Sequence, residues 1–323
     1  MTAERPKIRV IINPISGTQS KQAMPELLTG VLGEKYDVDV RATEYAGHAK
    51  VLAKDAAADG FAGVVAVGGD GTVNEVASAL RDTSTVLGIV PCGSGNGLAR
   101  HLGIPLNAQK AAEIILQSRI EAYDYCTVND RPFFCTCGVG FDAEVSQKFA
   151  QLGKRGPFNY VKEALQQYIK FHPQEYTIEI DQKRLTEKAF VIACGNAAQY
   201  GNNAYITPRA SMQDGMIDVT IIHPFTPIET PIISILLVTR HLDEDTNIST
   251  FRTKSLKIIR KAESIMHIDG EPIVMPAELT INCHKAGIRI YSSDKGEQNQ
   301  SKLSNMDKVF WNVVDTIRNE FDF

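Results

Sequence analysis

Three glycines and one acid, Gly68-Gly69-Asp70-Gly71-Thr72, stand directly after the buried apolar run Gly63 to Val67 and directly before the helical spacing of Thr72 to Arg81. Glycines at such a junction let the backbone approach a ligand and adopt conformations closed to other residues. The helix start adds unpaired N–H groups at the positive end of its dipole, which suits phosphate. An acid there repels phosphate unless a divalent cation, or water bound to one, lies between. Asp70 therefore reads either as a cation-linked acid in a phosphate loop or as the N-cap of a tight turn. The strand–turn–helix setting favours the first.

A second loop, Pro91-Cys92-Gly93-Ser94-Gly95-Asn96-Gly97, follows the next apolar run, and its Ser94 hydroxyl and amides suit phosphate oxygens. Asn13-Pro14-Ile15-Ser16-Gly17 and Thr43 end the first two runs, making four polar strand ends. In a doubly wound sheet, successive strand ends face one crevice. Neither glycine loop has the Gly-Lys-Ser/Thr ending of a Walker A motif. Gly138-x-Gly140-x-x-Ala143 mimics a dinucleotide fingerprint but lies outside any βαβ unit, so it reads as a close-packed turn, with Asp142, just after Gly140, in reach of a substrate. Further on, Asp269-Gly270 and Asp214-Gly215 are turn signals, and Glu271 stands at the exit of the first. Lys154, Arg155 and Lys162 make a basic cluster, a solvated face or a contact for anionic headgroups. The seven histidines show no metal-ligand spacing.

The elements that must position these residues fall into two regimes. Up to about Tyr123, strands (Ile8 to Ile12, Val38 to Ala42, Gly63 to Val67, Val86 to Val90) alternate with helices, the pattern of a parallel α/β sheet covered on both faces. Beyond it come short alternating runs: Tyr123 to Asn129, Phe133 to Cys137, Tyr176 to Ile180, Ala189 to Cys194, Ile217 to Ile222, Ser255 to Arg260, Ser264 to Asp269, Glu278 to Cys283 and Gly287 to Tyr291. With helices only at Phe158 to Phe171 and Ile228 to His241, this half reads as a mainly antiparallel β-sandwich. The chain thus divides into an α/β domain over residues 1–122 and a β-rich domain over 123–291. After the polar stretch Ser292 to Lys302, a last amphipathic helix, Leu303 to Phe321, carries acids on its polar side, which suits a protein surface better than an anionic membrane. Residues 292–323 are expected to pack back on the first domain or on a partner subunit, which leaves a homodimer open.

Composition bounds the rest. With 323 residues, 43% apolar and 22% charged, the chain holds enough material for two cores. Its net charge of -4 argues against a nucleic-acid-coating protein. The longest clean apolar run, Pro231 to Val238, is far short of the roughly 20 residues that span a bilayer. Six scattered cysteines without metal-site spacing read as reduced, mostly buried thiols of a cytoplasmic protein.

Gly68 to Thr72, Asn13-Pro14-x-Ser16-Gly17, Gly93-Ser94-Gly95-Asn96, the run Pro208 to Gly215 and Asp269-Gly270-Glu271 together resemble the bacterial diacylglycerol kinase and sphingosine kinase family of soluble lipid kinases, in family order. The first motif is shared with NAD kinases and phosphofructokinases, and the later ones discriminate. The resemblance implies an ATP-binding α/β domain, a β-sandwich as the other wall of the cleft, and a lipid alcohol at the membrane surface as phosphoryl acceptor. By the same resemblance Asn13, Pro14, Ser16, Gly17, Thr43, Gly68, Gly69, Asp70, Gly71, Thr72, Asn74 and Ser94 contact the nucleotide, and Asp70 holds its Mg²⁺ through water. Glu271 takes the proton of the attacking hydroxyl, and Asp214, with the carbonyls of Ser211 and Met216, holds a structural Mg²⁺. Asn96-Gly97-Leu98-Ala99 departs from the Asn-Asp-Phe common in bacterial members, and Ser94 stands where Thr is usual. Other readings compatible with the residues are a kinase of a soluble substrate such as NAD, or a silent nucleotide or lipid sensor. The lipid itself, diacylglycerol or sphingoid, is left open, with Asp142 a candidate partner for a sphingoid amine.

Overall fold

The structure is a computed structural model that describes residues 4–17, 21–117, 119–152 and 171–293. Strands β1 (Lys7–Ile12), β2 (Asp37–Ala42), β3 (Gly63–Gly68) and β4 (Val86–Pro91) pair in parallel in the order β2-β1-β3-β4. Every residue of β3 and β4 is buried, which is why they read as unbroken apolar runs and not as alternation. Helix α1 (Met24–Leu32) packs with α5 (Ala108–Gln117), and α2 (His48–Ala58) with α3 (Asp70–Leu80); the one-and-a-half-turn α4 (Gly97–His101) follows β4.

The remaining strands are β5 (Ile120–Val128), β6 (Arg131–Phe133), β7 (Thr136–Gly140), β8 (Gln174–Ile180), β9 (Lys183–Ala189), β10 (Val191–Gly195) and β11 (Ile217–Ile222). They continue with β12 (Ile248–Thr253), β13 (Ser255–Ile259), β14 (Ser264–Ile268), β15 (Glu271–Met275) and β16 (Glu278–Tyr291). Helices α6 (Phe141–Leu152) and α7 (Thr230–Thr239) interrupt them. An antiparallel sheet of order β12-β11-β10-β7-β14-β15 faces a second sheet in which β16 pairs with β13 and β5 and also runs parallel to β4 at Ile290 and Leu87. Between the faces lies a core that includes Phe133, Val139, Ile178, Ile192, Ile217, Leu279 and Ile281. This is the expected α/β sheet followed by an antiparallel sandwich, and β16 fuses the two.

The differences from the sequence reading have local causes. The run Phe133 to Cys137 splits into β6 and β7 because the N–H groups of Phe134, Cys135 and Thr136 turn to the Asp269 carboxylate. The two runs expected at Glu278 to Tyr291 are one strand broken by a bulge between His284 and Ile288. Asp124 pins that bulge by accepting the Ala286 N–H at 2.7 Å. Strand β9, mostly exposed, lacks the apolar alternation that marks a half-buried strand. The helix expected at Phe158 to Phe171 lies, apart from Phe171, outside the described residues, as do Lys154, Arg155, Lys162 and the C-terminal segment from residue 294.

Candidate active site

The ends of β1, β3 and β4 meet backbone on backbone. A Cβ on Gly93 would stand 2.5 Å from the Cα of Gly69, and one on Gly17, whose φ is +68°, would stand 1.9 Å from the carbonyl oxygen of Cys92. Side chains at these places would drive the loops apart, so the glycines are what lets three strand ends form one surface. Asn13 ties the set together: its Nδ2 donates to Thr72 Oγ1 at 3.0 Å and its Oδ1 accepts the Ile15 N–H at 3.1 Å. Ser16 Oγ donates back to the Asn13 carbonyl at 3.1 Å, and Lys21 donates to the Ser16 carbonyl. Thr43 leaves β2 beside this loop, its N–H on the Ile12 carbonyl at 2.9 Å, while Pro14 and Ser94 are exposed at the rim.

Asp70 caps a helix, but not its own. The N-cap of α3 is Gly69, with no side-chain hydrogen bond; Asp70 instead accepts the Asn96 N–H on Oδ2 at 2.8 Å and the Gly97 N–H on Oδ1 at 2.7 Å, at the start of α4. Burial pushes its carboxyl up to about 6, with the two N–H bonds pulling the other way. A desolvated acid beside glycine loops and aligned amides is a donor set that suits a hydrated cation carrying phosphate.

On the opposite wall, Asp269 accepts Asn74 Nδ2 at 2.8 Å and the N–H groups of Phe134, Cys135 and Thr136 at 2.9, 2.8 and 3.1 Å. Burial raises its pKa against those four bonds. Both polar atoms of Asn74 are used inside the protein, since its Oδ1 accepts Ser78 Oγ at 3.2 Å. Two residues beyond Asp269, Glu271 opens β15 and is exposed. A Cβ added to Gly71 would lie 3.1 Å from Glu271 Oε1, so this carboxylate rests against the glycine loop. Among the described residues it has no hydrogen-bond or ion-pair partner.

The diacylglycerol kinase catalytic domain family matches residues 7–128, and the YegS C-terminal NAD kinase beta sandwich-like domain matches residues 135–290. Probable lipid kinase YegS of Escherichia coli O1:K1 / APEC is 31% identical over 248 residues, 74% of this chain and 81% of that protein. The chain belongs to the diacylglycerol kinase family. Diacylglycerol kinase of Bacillus subtilis (strain 168) is 27% identical over 299 residues, 90% of this chain and 98% of its own. A putative diacylglycerol kinase from Bacillus anthracis str. Sterne has the same fold, with a TM-score of 0.75, 22% identity and coverage of 89% and 97% of the two chains. An NAD kinase from Archaeoglobus fulgidus in complex with ATP shares the fold more distantly, with a TM-score of 0.52 at 14% identity over 90% of this chain and 96% of that one.

Two features of this diacylglycerol kinase family member escape a motif reading. Asp142 is committed: its Oδ2 accepts Tyr200 Oη at 2.7 Å and lies 3.0 Å from His267 Nε2, and its Oδ1 accepts the Ala143 N–H at 2.7 Å. Gly138 makes room for this cluster, because a Cβ there would stand 2.4 Å from Asp142 Oδ2. The carboxylate expected to face a substrate amine is thus already held by three groups of the protein. No spacing in the sequence announces His267 or Tyr200; only the sheet register and the loop after β10 bring them together.

The second feature is the Asp214 turn. Asp214 accepts the Met216 N–H on Oδ1 at 2.9 Å and Arg252 on Oδ2, and Arg252 Nε also reaches Asp218 at 3.2 Å. Cross-strand register places Arg252 opposite Asp218. A guanidinium thus stands on one oxygen of the carboxylate that was expected to hold a structural Mg²⁺ with the carbonyls of Ser211 and Met216.

Proposed function

We propose that this protein is an ATP-dependent lipid kinase, transferring the γ-phosphoryl group to a hydroxyl of a lipid alcohol of the diacylglycerol or sphingoid type. The observation that carries this reading is Glu271, an unengaged carboxylate lying against Gly71 of a phosphate-type loop. A base for an acceptor hydroxyl needs those two properties: nearness to the transferred group and a free oxygen. Membership of the diacylglycerol kinase family and the names of the relatives support the lipid acceptor.

In this reading the loops 13–17 and 68–72, with Thr43 and Ser94 at the rim, hold the nucleotide phosphates through N–H groups and hydroxyls. Asp70 is the residue that would hold the divalent cation, Mg²⁺, which when bound neutralises charge on the phosphates. Glu271 orients the acceptor hydroxyl and takes its proton. Asn74 acts on the other side of the cleft, through Asp269, and not on the nucleotide. Residues 123–291 are the lipid side in this reading, and the acceptor is a lipid met at the membrane surface; among the described residues no helix is long and apolar enough to cross a membrane. The test is transfer of labelled phosphate from ATP to a panel of lipid alcohols in mixed micelles, with NAD as a soluble control. Labelling of a lipid supports the reading; labelling of NAD alone overturns it.

A further inference from the structure

We infer that Cys126 and Cys283 are a disulfide-forming pair in this protein. The six cysteines are free thiols. Sheet register sets four of them directly opposite one another: Cys126 of β5 against Cys283 of β16, and Cys137 of β7 against Cys194 of β10. Opposed residues of an antiparallel ladder project from the same face. The thiols within each pair feel one another: burial and then the Cys283 thiol push Cys126 well up, and burial and then the Cys194 thiol do the same to Cys137.

The two pairs differ in their place in the ladder. The Asn129 N–H donates to the Thr280 carbonyl at 2.9 Å, and the Cys283 N–H points away from β5 to the Lys254 carbonyl at 2.9 Å. Hydrogen-bonded positions between β5 and β16 therefore fall at Asn129/Thr280 and Thr127/Asn282, leaving Cys126/Cys283 a non-hydrogen-bonded pair. Between β7 and β10 the Phe141 N–H donates to the Phe190 carbonyl and the Asn196 N–H to the Cys135 carbonyl, each at 2.9 Å. Counting inward by twos makes Cys137/Cys194 a hydrogen-bonded pair. Opposed Cβ atoms are roughly 4.5–5.5 Å apart and closer at non-hydrogen-bonded positions, whereas a disulfide asks for about 3.5–4.5 Å. By its place in the ladder Cys126/Cys283 is the pair better suited to a disulfide.

Access selects the same pair. Cys283 is half-buried, while Cys126, Cys137 and Cys194 are buried. With a low-molecular-weight disulfide such as oxidised glutathione, the Cys283 thiolate attacks one sulfur and releases one glutathione thiolate, leaving a mixed disulfide. Cys126 then gives up its proton, attacks the Cys283 sulfur and expels the second glutathione. Two protein thiols become one disulfide, and the oxidant is reduced to two thiols. The bond draws Cys126 Sγ from Asn196 Oδ1, 3.6 Å away, and Asn196 Nδ2 holds the Phe134 carbonyl at 2.9 Å, next to the amides that clasp Asp269.

The experiment exposes the full native chain to oxidised glutathione, blocks remaining thiols with N-ethylmaleimide and maps the peptides without reduction. The expected product links Cys126 to Cys283 and leaves Cys137 and Cys194 alkylated after denaturation. Cys283→Ser, at a half-buried position, is expected to abolish the linked peptide. A Cys137–Cys194 link, a glutathionylated Cys283 that never passes to Cys126, or four alkylated thiols after exposure would each overturn the inference. The wild-type map alone decides between the pairs, so the test does not depend on a core variant folding.

Discussion

Asn74 Nδ2 lies 2.8 Å from Asp269 Oδ2, and this one hydrogen bond joins helix α3, which starts in the glycine loop, to the turn that launches Glu271. The loop that would hold phosphate and the carboxylate that would take the proton thus share a brace. Asn74→Ala removes a bond to a buried carboxylate, typically worth roughly 1.5–3 kcal/mol. The variant is expected to melt earlier and to lose kcat while the KM for ATP stays near wild type. A raised KM for ATP with unchanged kcat would return Asn74 to the nucleotide.

Asp70 makes stability depend on pH with a definite sign. Burial lifts its carboxyl from the ordinary 3.8 to about 6, and Asp218 is lifted to about 6 for the same leading reason. The folded protein therefore takes up protons near pH 6 that the unfolded chain takes up only near pH 4. This contribution to stability is fully present below about pH 4 and is lost as pH rises through about 6. The Tm of the nucleotide-free protein is expected to fall between pH 5 and pH 7.5, and less steeply in Asp70→Asn. A Tm that climbs over this interval, or an identical slope in the variant, would count against the buried acid. Nucleotide with Mg²⁺ is expected to raise Tm more at pH 7.5 than at pH 5.5, because a cation favours ionised Asp70.

How much of this was legible in the sequence depends on how far each partner lies along the chain. β3 and β4 were plain because burial on both faces leaves only apolar residues, and the glycine loops were plain because close backbone approach leaves only glycine. The partners of Asp70, in contrast, are backbone amides of Asn96 and Gly97, groups every residue carries and no pattern marks. Strand β15 begins on the exposed Glu271 and has no clean alternation, so its turn could be read but not the strand that aims it. Register sets Arg252 opposite Asp218 and His267 opposite Gly138, pairings that nothing in the sequence marks.

The Asp214 turn separates a metal from an arginine. With Arg252 on both Asp214 and Asp218, Mg²⁺ and chelator are expected to leave the Tm of the nucleotide-free wild type unchanged. Arg252→Ala uncovers both acids and is expected to cost about 1–3 kcal/mol, a figure reduced because the arginine side chain is 45% exposed. In that variant a divalent cation gains two unpaired carboxylates and should restore part of the lost Tm. A wild-type Tm that rises with Mg²⁺ and ceases to do so in Asp214→Asn would establish the structural ion instead.

The reading of the site rests most heavily on Glu271, whose carboxylate alone among Asp70, Asp142, Asp269 and Glu271 has no partner among the described residues. Asp70 is held by two amides, Asp142 by Tyr200, His267 and Ala143, and Asp269 by Asn74 and three amides. Acids so engaged fix loops; a free one beside Gly71 can accept a proton. Glu271→Gln keeps the shape and removes the basicity, and loss of a general base typically costs ~10²–10⁴ in rate. That is roughly 3–5 kcal/mol of barrier at about 1.4 kcal/mol per tenfold. The loss is expected in kcat for the lipid, with ATP affinity and Tm unchanged, because an exposed carboxylate without protein partners holds nothing in place. Tyr200→Phe is the contrasting variant: it breaks one bond of a buried cluster, so it should lower Tm and leave most of kcat. If Glu271→Gln keeps near-wild-type kcat on the best lipid of the panel, the proton goes elsewhere and the assignment of Glu271 fails, whatever the fate of the lipid-kinase activity itself.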